Sequence, residues 1–318
     1  MEPGLREIYA ARRRIAGHAF RTPLERSVWL SERAGCDVHL KLECWQRTRS
    51  FKVRGAFNAI LPLGEEARGH GLVAASAGNH GQAVALAARV VGAHAVIFVP
   101  ATAPATKRAR IRAYGAELRT VEGTYDDAAA VAEAYARETG ACFIHPFADP
   151  AVIAGQGTVG IEIAEDLPAV REVLVPVGGG GLIAGIGTVL RAMAGAGVRI
   201  IGVQSEQTAS MHDSFEAGRA VDAVFGPTLA DGLAGGVEPE SYERARAVTD
   251  EIVLVDEAAI AAAIRELYRR DGVVAEGAGA VTAAAVADGR LALRGPAVLV
   301  ISGGNIDADR LAGLLRSE

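Results

Sequence analysis

Lysine is rare in this chain, in which Lys41, Lys52 and Lys107 stand against thirty arginines. Arginine stays protonated at any accessible pH, whereas a lysine amine can lose its proton and attack a carbonyl group, as in Schiff-base formation. Lys52 is the candidate for this chemistry because it lies among apolar and small residues in segment 50–56. The surroundings of Lys41 predict the solvent side of a strand, and those of Lys107 predict a helix surface. A lysine that extends its amine out of a buried element is an equally good interpretation of Lys52 taken alone.

Two turns in the chain have the composition of anion-binding sites. The stronger is the tetraglycine run 178–181, which lies between a predicted strand and a predicted helix at 182–193. Consecutive glycines let the backbone amides close around a phosphate, and the start of the helix adds free N–H groups. The other turn, 76–81, carries the polar side chains of Ser76 and Asn79. An ordinary helix N-cap by Asn79 explains that turn equally well.

A third turn, 302–305, follows a predicted strand and begins with Ser302. The carboxyl ends of the strands in an open parallel sheet face one crevice, so all three turns and Lys52 could converge there. A ligand with a phosphate, an aldehyde and a ring acceptor would match these groups. Pyridoxal 5'-phosphate has this chemistry, and an amino-acid substrate would bring a carboxylate to the turn at 76–81.

A nicotinamide site is the competing interpretation. Residues 179–184 fit the pattern GxGxxA between a strand and a helix, and Glu206 ends the next strand where a ribose-binding acid would lie. This motif alone is compatible with an NAD-dependent dehydrogenase. It leaves Lys52, the turn at 76–81 and Ser302 without a role, and we therefore rank it below pyridoxal phosphate.

Short β-branched runs alternate with alanine-rich helical stretches, a pattern typical of an α/β fold with doubly wound parallel sheets. Half of the residues are hydrophobic and only 5% are aromatic, which suits strands buried beneath helices. The number of predicted strands favours two sheets. These strands lie at 38–43, 72–76, 95–100, 117–121, 142–145, 172–177, 199–205, 252–255 and 297–301. A break near 147–150 predicts a smaller domain at 64–145 inserted into a larger domain formed by 1–63 and 146–318.

Charge, cysteine content and hydropathy exclude several classes of protein. The net charge is -5 and no basic stripe carries interleaved aromatic residues, so nucleic acid is not expected as a partner. The cysteines Cys36, Cys44 and Cys142 have no metal-binding or redox spacing and predict reduced thiols. No apolar run approaches the roughly 20 residues of a membrane span. We expect a soluble cytoplasmic protein with no membrane partner.

Six motifs, in this order, resemble those of the fold-type II pyridoxal-phosphate enzymes. They lie at 41–43 with 50–56, at 75–82, 145–147, 153–158, 178–181 and 302–305. Within that group the chain is similar to threonine/serine dehydratases and serine racemases, and the resemblance covers nearly its full length. Cysteine synthases are less similar, since they usually carry an acidic residue after the lysine. The resemblance implies two doubly wound parallel-sheet domains with the cofactor in the cleft between them.

The resemblance also implies a role for each motif. Lys52 would bind the cofactor as an imine and then remove the α-proton of the substrate, with Phe51 beside the cofactor. Asn79 would bind the 3'-hydroxyl of the pyridine ring, and Ser302 would face the ring nitrogen. The phosphate would be bound by Gly178, Gly179, Gly180 and Gly181. The substrate carboxylate would be bound by Ser76, Ala77, Gly78, Asn79 and His80.

Three positions depart from the family pattern. Racemases need a second base, and Ala77 stands where they carry a serine, so dehydration is preferred over racemisation. Glu206 is a possible ligand of a divalent metal, but His212 replaces the second carboxylate and leaves the metal requirement open. Arg49 replaces a common glycine. If it points into the pocket it favours an acidic or unusual β-hydroxy amino acid, and the alternative is a surface arginine on a loop.

We therefore predict a lyase that converts a β-hydroxy amino acid, L-threonine or L-serine, into a 2-oxo acid and ammonia. The alternatives are a serine or amino-acid racemase on the same fold, or a dehydratase for another β-hydroxy amino acid such as 3-hydroxyaspartate or phenylserine. An NAD-dependent dehydrogenase is the distant alternative. Relatives are commonly dimers or tetramers, so a homodimer or homotetramer is expected.

Overall fold

The chain forms two largely parallel sheets covered by helices. The computed structural model describes residues 3–193, 197–222 and 224–316. The strands of the larger sheet are β1 (Leu24–Arg26), β2 (Val38–Lys41), β7 (Glu172–Pro176), β8 (Arg199–Ser205), β9 (Glu251–Val255) and β10 (Ala297–Val300). The strands of the smaller sheet are β3 (Leu72–Ala75), β4 (Ala95–Pro100), β5 (Glu117–Val121) and β6 (Cys142–Phe143).

Both sheets are built from parallel strands, with one antiparallel strand at an edge of the larger sheet. Within the described residues the larger sheet has the order β1-β2-β10-β7-β8-β9, and the smaller sheet has the order β5-β4-β3-β6. All neighbouring strands are parallel except β1, which pairs antiparallel with β2 at the edge of the larger sheet. The prediction of two parallel sheets is therefore confirmed.

Helices fill the connections between strands. Those in the first half of the chain are α1 (Leu5–Ile15), α2 (Val28–Ala34), α3 (Lys52–Ile60), α4 (Glu65–His70), α5 (Asn79–Val91), α6 (Ala105–Ala113) and α7 (Tyr125–Thr139). Those in the second half are α8 (Pro150–Asp166), α9 (Gly181–Met193), α10 (Ser210–Ala217), α11 (Pro239–Val248), α12 (Glu257–Asp271), α13 (Gly277–Ala287) and α14 (Ala308–Arg316). Their starts follow local rules, as in α8, where Asp149 caps the Ala151 amide and proline occupies the first turn.

The apolar core lies on both faces of the larger sheet. Along β10, Leu299 contributes to the cluster on one face, while Val298 and Val300 contribute to the cluster on the other. Successive strand residues point to opposite faces, so a strand that is apolar at every position must be covered twice. One cover is α13, whose residues up to Val286 are all buried. Such a helix, apolar on every side, is stable only inside the protein.

Helix α8 lies between α3 and α9, and glycines form both contacts. A Cβ atom at Gly155 would lie 2.6 Å from the Cα atom of Gly55 in α3. A Cβ atom at Gly185 in α9 would lie 2.6 Å from the backbone nitrogen of Gly157. Real Cβ atoms do not approach so closely, so these helices touch through their backbones. The spacing of the three helices is therefore fixed by main-chain atoms.

The predicted strands are all present, with ends that differ from the prediction by one or two residues at most. The edge strand β1 was missed because it has only three residues and no apolar alternation. The strands of the smaller sheet all lie within segment 64–145, which is predicted as the smaller domain. The domain boundaries themselves stay a prediction.

The prediction for Lys41 is wrong. Its side chain is fully buried, and its Nζ donates to the Thr22 carbonyl oxygen at 2.7 Å and lies 2.7 Å from a Glu162 carboxylate oxygen. Alternation with apolar neighbours indicates solvent only when one face of the strand is open, and here helices cover both faces. The charge is tolerated inside because Glu162 compensates it.

Arg49 is the one non-glycine residue with a positive φ, 56°, among the described residues. Side chains with a Cβ are disfavoured there, which explains physically why glycine suits this position. Its backbone nitrogen donates to the Gln46 carbonyl at 2.8 Å, and its carbonyl accepts from the Gly304 amide at 2.9 Å. These bonds hold the chain in the left-handed conformation whatever the side chain.

We expect Arg49→Gly to raise the free energy of unfolding by about 1 kcal/mol, because it removes the left-handed strain of a side chain with a Cβ. Urea denaturation followed by circular dichroism measures the change. The control is Arg13→Gly at an exposed position inside α1, which should lower stability by about 1 kcal/mol instead. Equal losses in both variants would contradict strain at position 49.

Candidate active site

A cleft of about 420 Å³ lies at the carboxyl ends of strands from both sheets. This is the position expected for a ligand site in open parallel sheets. The predicted site residues that line it are Phe51, Lys52, Ser76, Ala77, Gly78, Asn79, His80, Gly178, Gly179, Gly180, Gly181 and Ser302. The structure thus brings together every predicted cofactor-binding and substrate-binding residue.

Lys52 is the first residue of α3 and extends its amine into the cleft. The Nζ atom donates to the Pro146 carbonyl oxygen at 2.8 Å, and no carboxylate pairs with it among the described residues. Burial disfavours the charged form and lowers the pKa of Lys52 to about 8. A useful fraction of the amine is therefore neutral near physiological pH and can attack an aldehyde.

The tetraglycine turn connects the end of β7 to the start of α9. Gly180 has φ 87°, and a Cβ atom at Gly181 would lie 2.5 Å from the Phe147 carbonyl oxygen. A Cβ atom at Gly179 would lie 2.6 Å from the Phe147 ring. Positions 179–181 of the turn therefore favour glycine, and the turn presents backbone amides and the positive end of a 13-residue helix to the cleft. These features fit a phosphate group.

Asn79 begins α5, and its side-chain amide is fixed by two partners. Its Nδ2 donates to a Glu276 carboxylate oxygen at 2.6 Å, and its Oδ1 accepts from Asn305 Nδ2 at 2.7 Å. Glu276 also accepts from the Asn305 backbone amide at 3.1 Å. One N–H of Asn79 remains available for a ring oxygen in the cleft, so the network sets which side of the amide faces the ligand.

His80 has a buried, neutral ring. Its Nε2 lies 2.7 Å from the Ile144 carbonyl oxygen and must carry the proton, because a carbonyl only accepts. Burial and then the charge of Lys52 lower the pKa of His80 to about 3. Nearby, the Gly78 amide donates to Ser76 Oγ at 3.1 Å, which shapes the turn that precedes α5. The turn offers backbone N–H groups and one hydroxyl to an anion.

Ser302 follows β10 and is almost fully buried at the edge of the cleft. Its hydroxyl is 3.4 Å from the Ala278 carbonyl oxygen, a weak contact that leaves the group able to turn. The Phe51 amide donates to the Ser302 carbonyl at 3.1 Å, so this residue and Lys52 are tied to each other through the backbone. A hydroxyl at this place can donate or accept a hydrogen bond but carries no charge.

Glu206 lies outside the cleft. Its carboxylate is 3.2 Å from the Arg290 guanidinium, and His212 contacts Asp213 instead. In the part of the chain that the structure describes, no group of three or more His, Cys, Asp or Glu side chains could hold a metal ion. Arg49 is exposed and does not line the cleft. Neither Glu206 nor Arg49 therefore contacts the candidate site.

Lys107 corrects the prediction of a plain helix surface. It is on α6 but lines the cleft, and its amine contacts the Asp231 carboxylate from the opposite side. Contacts between Thr106 and Asp307 and between Arg110 and Asn305 lie beside it. These contacts join the smaller sheet's helix to loops of the larger sheet. Residues 231–235, which lie between β8 and β9, also border the site.

The family of the chain follows from a comparison with known proteins. A family model described as "Pyridoxal-phosphate dependent enzyme" matches residues 15–303. The chain belongs to this family. Its cofactor is therefore pyridoxal phosphate. The residues of the cleft fit that cofactor, since they include an amine with a lowered pKa and a glycine turn in which a Cβ at position 179 or 181 would clash with Phe147. The nicotinamide interpretation is wrong.

Individual members of the pyridoxal-phosphate-dependent family are similar over nearly the whole chain. L-threonine ammonia-lyase from Thermotoga maritima is 47% identical over 309 residues, which cover 96% of this chain and 77% of that protein. The processed form of threonine deaminase isoform 2 from Solanum lycopersicum has a TM-score of 0.87 at 35% identity and covers 99% of this chain and 89% of its own. Serine racemase from maize has a TM-score of 0.93 at 31% identity, covering 98% and 97%. The resemblance to fold-type II enzymes is confirmed.

Glu276 and Gln156 are site residues that the sequence analysis missed. Both line the cleft and both come from sequence that is otherwise small or apolar. Glu276 precedes α13, the most apolar helix, and an acid at the start of such a helix was the available signal. Gln156 lies inside α8 in segment 153–158, which was noted only as a family motif. Its Oε1 accepts from the Gly55 amide at 3.2 Å, and its buried Nε2 has no partner among the described residues.

We expect Gly181→Ala to weaken the binding of pyridoxal phosphate to the cofactor-free protein roughly tenfold or more, about 1.4 kcal/mol. The added methyl group would lie 2.5 Å from the Phe147 carbonyl oxygen, so either the tetraglycine turn or the backbone at Phe147 would have to shift. Absorbance titration with the cofactor measures the dissociation constant. Gly178→Ala is the control, because its Cβ would lie 3.2 Å from the Leu233 carbonyl and should have a smaller effect. Unchanged affinity in Gly181→Ala would argue against this turn as the phosphate site.

Glu276 should make stability depend on pH, since burial raises its pKa from 4.5 to about 7. Between these values the folded state binds a proton that the unfolded state has lost, so the free energy of unfolding falls as pH rises. In cofactor-free protein, the stability difference between wild type and Glu276→Gln should change by about 2 kcal/mol between pH 5 and pH 8. Urea denaturation at both pH values measures it.

The exposed Glu138→Gln is the matched control, and its difference from wild type should be the same at both pH values. A constant loss of stability in Glu276→Gln from altered hydrogen bonds cancels in the comparison. If the stability difference between wild type and Glu276→Gln is also the same at both pH values, the expectation of a raised pKa for Glu276 is wrong.

Proposed function

We propose that this protein is an ammonia-lyase that converts L-threonine, L-serine or both into a 2-oxo acid and ammonia. The observation that carries the proposal is the Lys52 amine with its lowered pKa, in one cleft with the tetraglycine turn and the turn at 76–80. The similarity to L-threonine ammonia-lyase and threonine deaminase supports the choice of reaction.

Each part of the cleft then has one task. Gly178 to Gly181 would bind the phosphate of the cofactor, and Asn79 would donate to its 3'-oxygen. Ser76 and the amides of residues 77–80 bind the substrate carboxylate. When bound, pyridoxal phosphate supplies an acceptor for the electron pair that is left when the α-proton is removed. Lys52, once free of the cofactor, takes that proton at Nζ, which its lowered pKa permits.

Ser302 favours elimination over other outcomes. Ser302 would lie opposite the ring nitrogen, where a hydroxyl cannot hold that nitrogen protonated as a carboxylate would. The cofactor would then withdraw less negative charge from the substrate, which would assist the departure of the β-hydroxyl group. Loss of water would give an unsaturated amino acid, which takes up a water molecule as it releases ammonia and becomes the 2-oxo acid.

Racemisation is the second candidate, since maize serine racemase is similar over nearly the full chain. It requires a proton donor on the face of the substrate opposite Lys52. Ala77 lines the cleft at the place expected for that donor, and its methyl group cannot transfer a proton. His80 is neutral and its only N–H is bonded to Ile144. These residues support dehydration as the main reaction.

The charges around the cleft favour a substrate with an uncharged side chain. Among the described residues that line it, Lys107 is the cation besides Lys52, and Asp231 pairs with it. Arg49 is exposed elsewhere, so it offers no partner to a second carboxylate. A buried Glu276 would repel one when ionised. We therefore rank threonine and serine above 3-hydroxyaspartate, while phenylserine stays an alternative.

The test combines trapping with a substrate panel. Borohydride reduction of the holoenzyme followed by peptide mapping should place the pyridoxyl group on Lys52, and three lysines in the chain make the assignment unambiguous. Lys52→Ala should lose the adduct and should lose activity by at least about 10³-fold. Wild type should release 2-oxobutanoate from L-threonine and pyruvate from L-serine.

Two results would overturn the proposal. An adduct on Lys41 or Lys107 would remove Lys52 from its role. Faster conversion of L-serine to D-serine than to pyruvate would make racemisation the main reaction and would refute the argument from Ala77.

Cytoplasmic location and a homodimeric or homotetrameric state stay predictions. No helix in the described ranges is both long and apolar enough to cross a membrane.

A further inference from the structure

Four charged side chains form a buried network beneath the first turn of α3. Arg54 donates from Nε and Nη2 to the two Glu43 carboxylate oxygens, at 2.8 and 2.7 Å. It donates from Nη1 and Nη2 to the two Glu162 oxygens, at 2.6 and 2.9 Å. Lys41 is the fourth member through its contact with Glu162. Arg54 is thus a two-sided fork between a carboxylate from the end of β2 and one from α8.

The network contains both signs of charge and is almost closed to water. Arg54 and Lys41 face Glu43 and Glu162, and an Asp166 carboxylate oxygen lies 3.8 Å from Lys41 Nζ at the edge of the network. Arg54, Lys41 and Glu43 have at most 1% of their surface exposed. Burial alone would lower the pKa of Arg54, but the two carboxylates raise it instead. Burial would raise the pKa of Glu162, but Arg54 and Lys41 lower it. Arg54 and Glu162 are therefore charged in the folded protein.

Such a network is an inefficient way to stabilise a fold. Removing charges from water is costly, and apolar residues of similar size often give equal or greater stability. A guanidinium fixes the geometry of its partners, because its N–H groups set both the distance and the plane of the carboxylates that they bind. A role in geometry therefore explains the network better than a role in stability does.

The network is placed to control the orientation of Lys52. Arg54 follows Lys52 by two residues, about 200° around the helix, so the two side chains leave α3 on nearly opposite sides. The pair of Arg54 with Glu43 closes the base of the loop that carries Lys52 into the cleft. Glu162 and Thr158, which also accepts from Arg54 at 3.1 Å, tie the same turn to α8. Rotation of α3 would break several of these bonds at once.

We propose that Arg54 is a positioning residue for Lys52: held by Glu43 and Glu162, it fixes the rotation of α3 so that the Lys52 amine stays in the buried part of the cleft. The inference rests on the proposed role of Lys52. Its consequence is that the reactivity of the amine depends on a guanidinium that touches neither cofactor nor substrate.

The test measures Lys52 in the cofactor-free protein. Acetylation with acetic anhydride across a pH series, read by mass spectrometry, gives the pH midpoint of each lysine, and only three lysines compete. In wild type the Lys52 midpoint should lie near 8, well below that of an ordinary lysine. Arg54→Lys keeps the charge but loses the fork, so the midpoint should rise by about one pH unit as the amine reaches water.

The same variant should lower kcat about 10- to 100-fold in the holoenzyme with little change in KM, because a small misplacement of a reacting group affects the chemical step. Arg14→Lys is the matched control. Arg14 of α1 is exposed and donates to Asn58 of α3. The control therefore alters a guanidinium contact with α3 that lies outside the network. It should leave the Lys52 midpoint and kcat unchanged.

A second variant separates geometry from stability. Replacing the whole network by Lys41→Met, Glu43→Gln, Arg54→Met and Glu162→Gln should keep the urea midpoint near that of wild type, yet shift the Lys52 acetylation midpoint as Arg54→Lys does. A wild-type Lys52 midpoint in Arg54→Lys overturns the inference, whatever the larger variant does. A shifted midpoint in a protein that forms no 2-oxo acid would support the inference and refute the proposed function, so the two failures are distinguishable.

Discussion

The withdrawal of one lysine amine from water is the constraint on which the rest of the structure depends. Within the described residues the amine of Lys52 has one hydrogen-bond partner, a backbone carbonyl, and burial brings its pKa to about 8. A carboxylate at hydrogen-bond distance would raise that pKa again and abolish its use as a nucleophile and base. The cleft therefore has to be polar enough for a phosphorylated amino-acid adduct while leaving one amine unpaired. Neutral groups meet that demand: glycine amides, Asn79, Ser302 and a histidine that cannot take a proton.

The carboxyl ends of the strands could be predicted from the sequence because each ends in a local signal. Glycine after β7, Ser76 after β3 and Ser302 after β10 are all visible without long-range information. Parallel topology then brings them together without further assumptions. Lys52 stood out because the chain otherwise uses arginine. These are properties of neighbours in sequence. They predicted that these residues meet in one cleft, as the structure shows, and they gave the cofactor correctly.

Buried charges could not be predicted, because their partners are distant along the chain. Arg54 and Glu162 are separated by 108 residues, and Lys41 looks like a solvent-facing residue until Glu162 is placed beside it. Glu276 likewise acquires its raised pKa only when α13 packs behind Asn79. Periodicity shows which side of an element is apolar. Whether a single charged side chain is buried depends instead on the partners that the fold places beside it. Arg49 shows the converse: the departure from glycine was evident in the sequence, whereas the left-handed backbone that favours glycine at this position was not.

The glycine contacts of α8 have a consequence for how the site can vary. One side of that helix touches the element that bears Lys52, and the other side touches the element that begins at the phosphate turn, in both cases main chain against main chain. Substitutions do not change the thickness of a backbone. Helix α8 therefore fixes the distance between the helix that begins with Lys52 and the helix that follows the tetraglycine turn. The aldehyde and the phosphate of one small cofactor must be reached at the same time. The distance between Lys52 and the tetraglycine turn is therefore the dimension of the enzyme that can change least. Side chains elsewhere in the cleft are not fixed by such backbone contacts, so they can be replaced without a change in that distance.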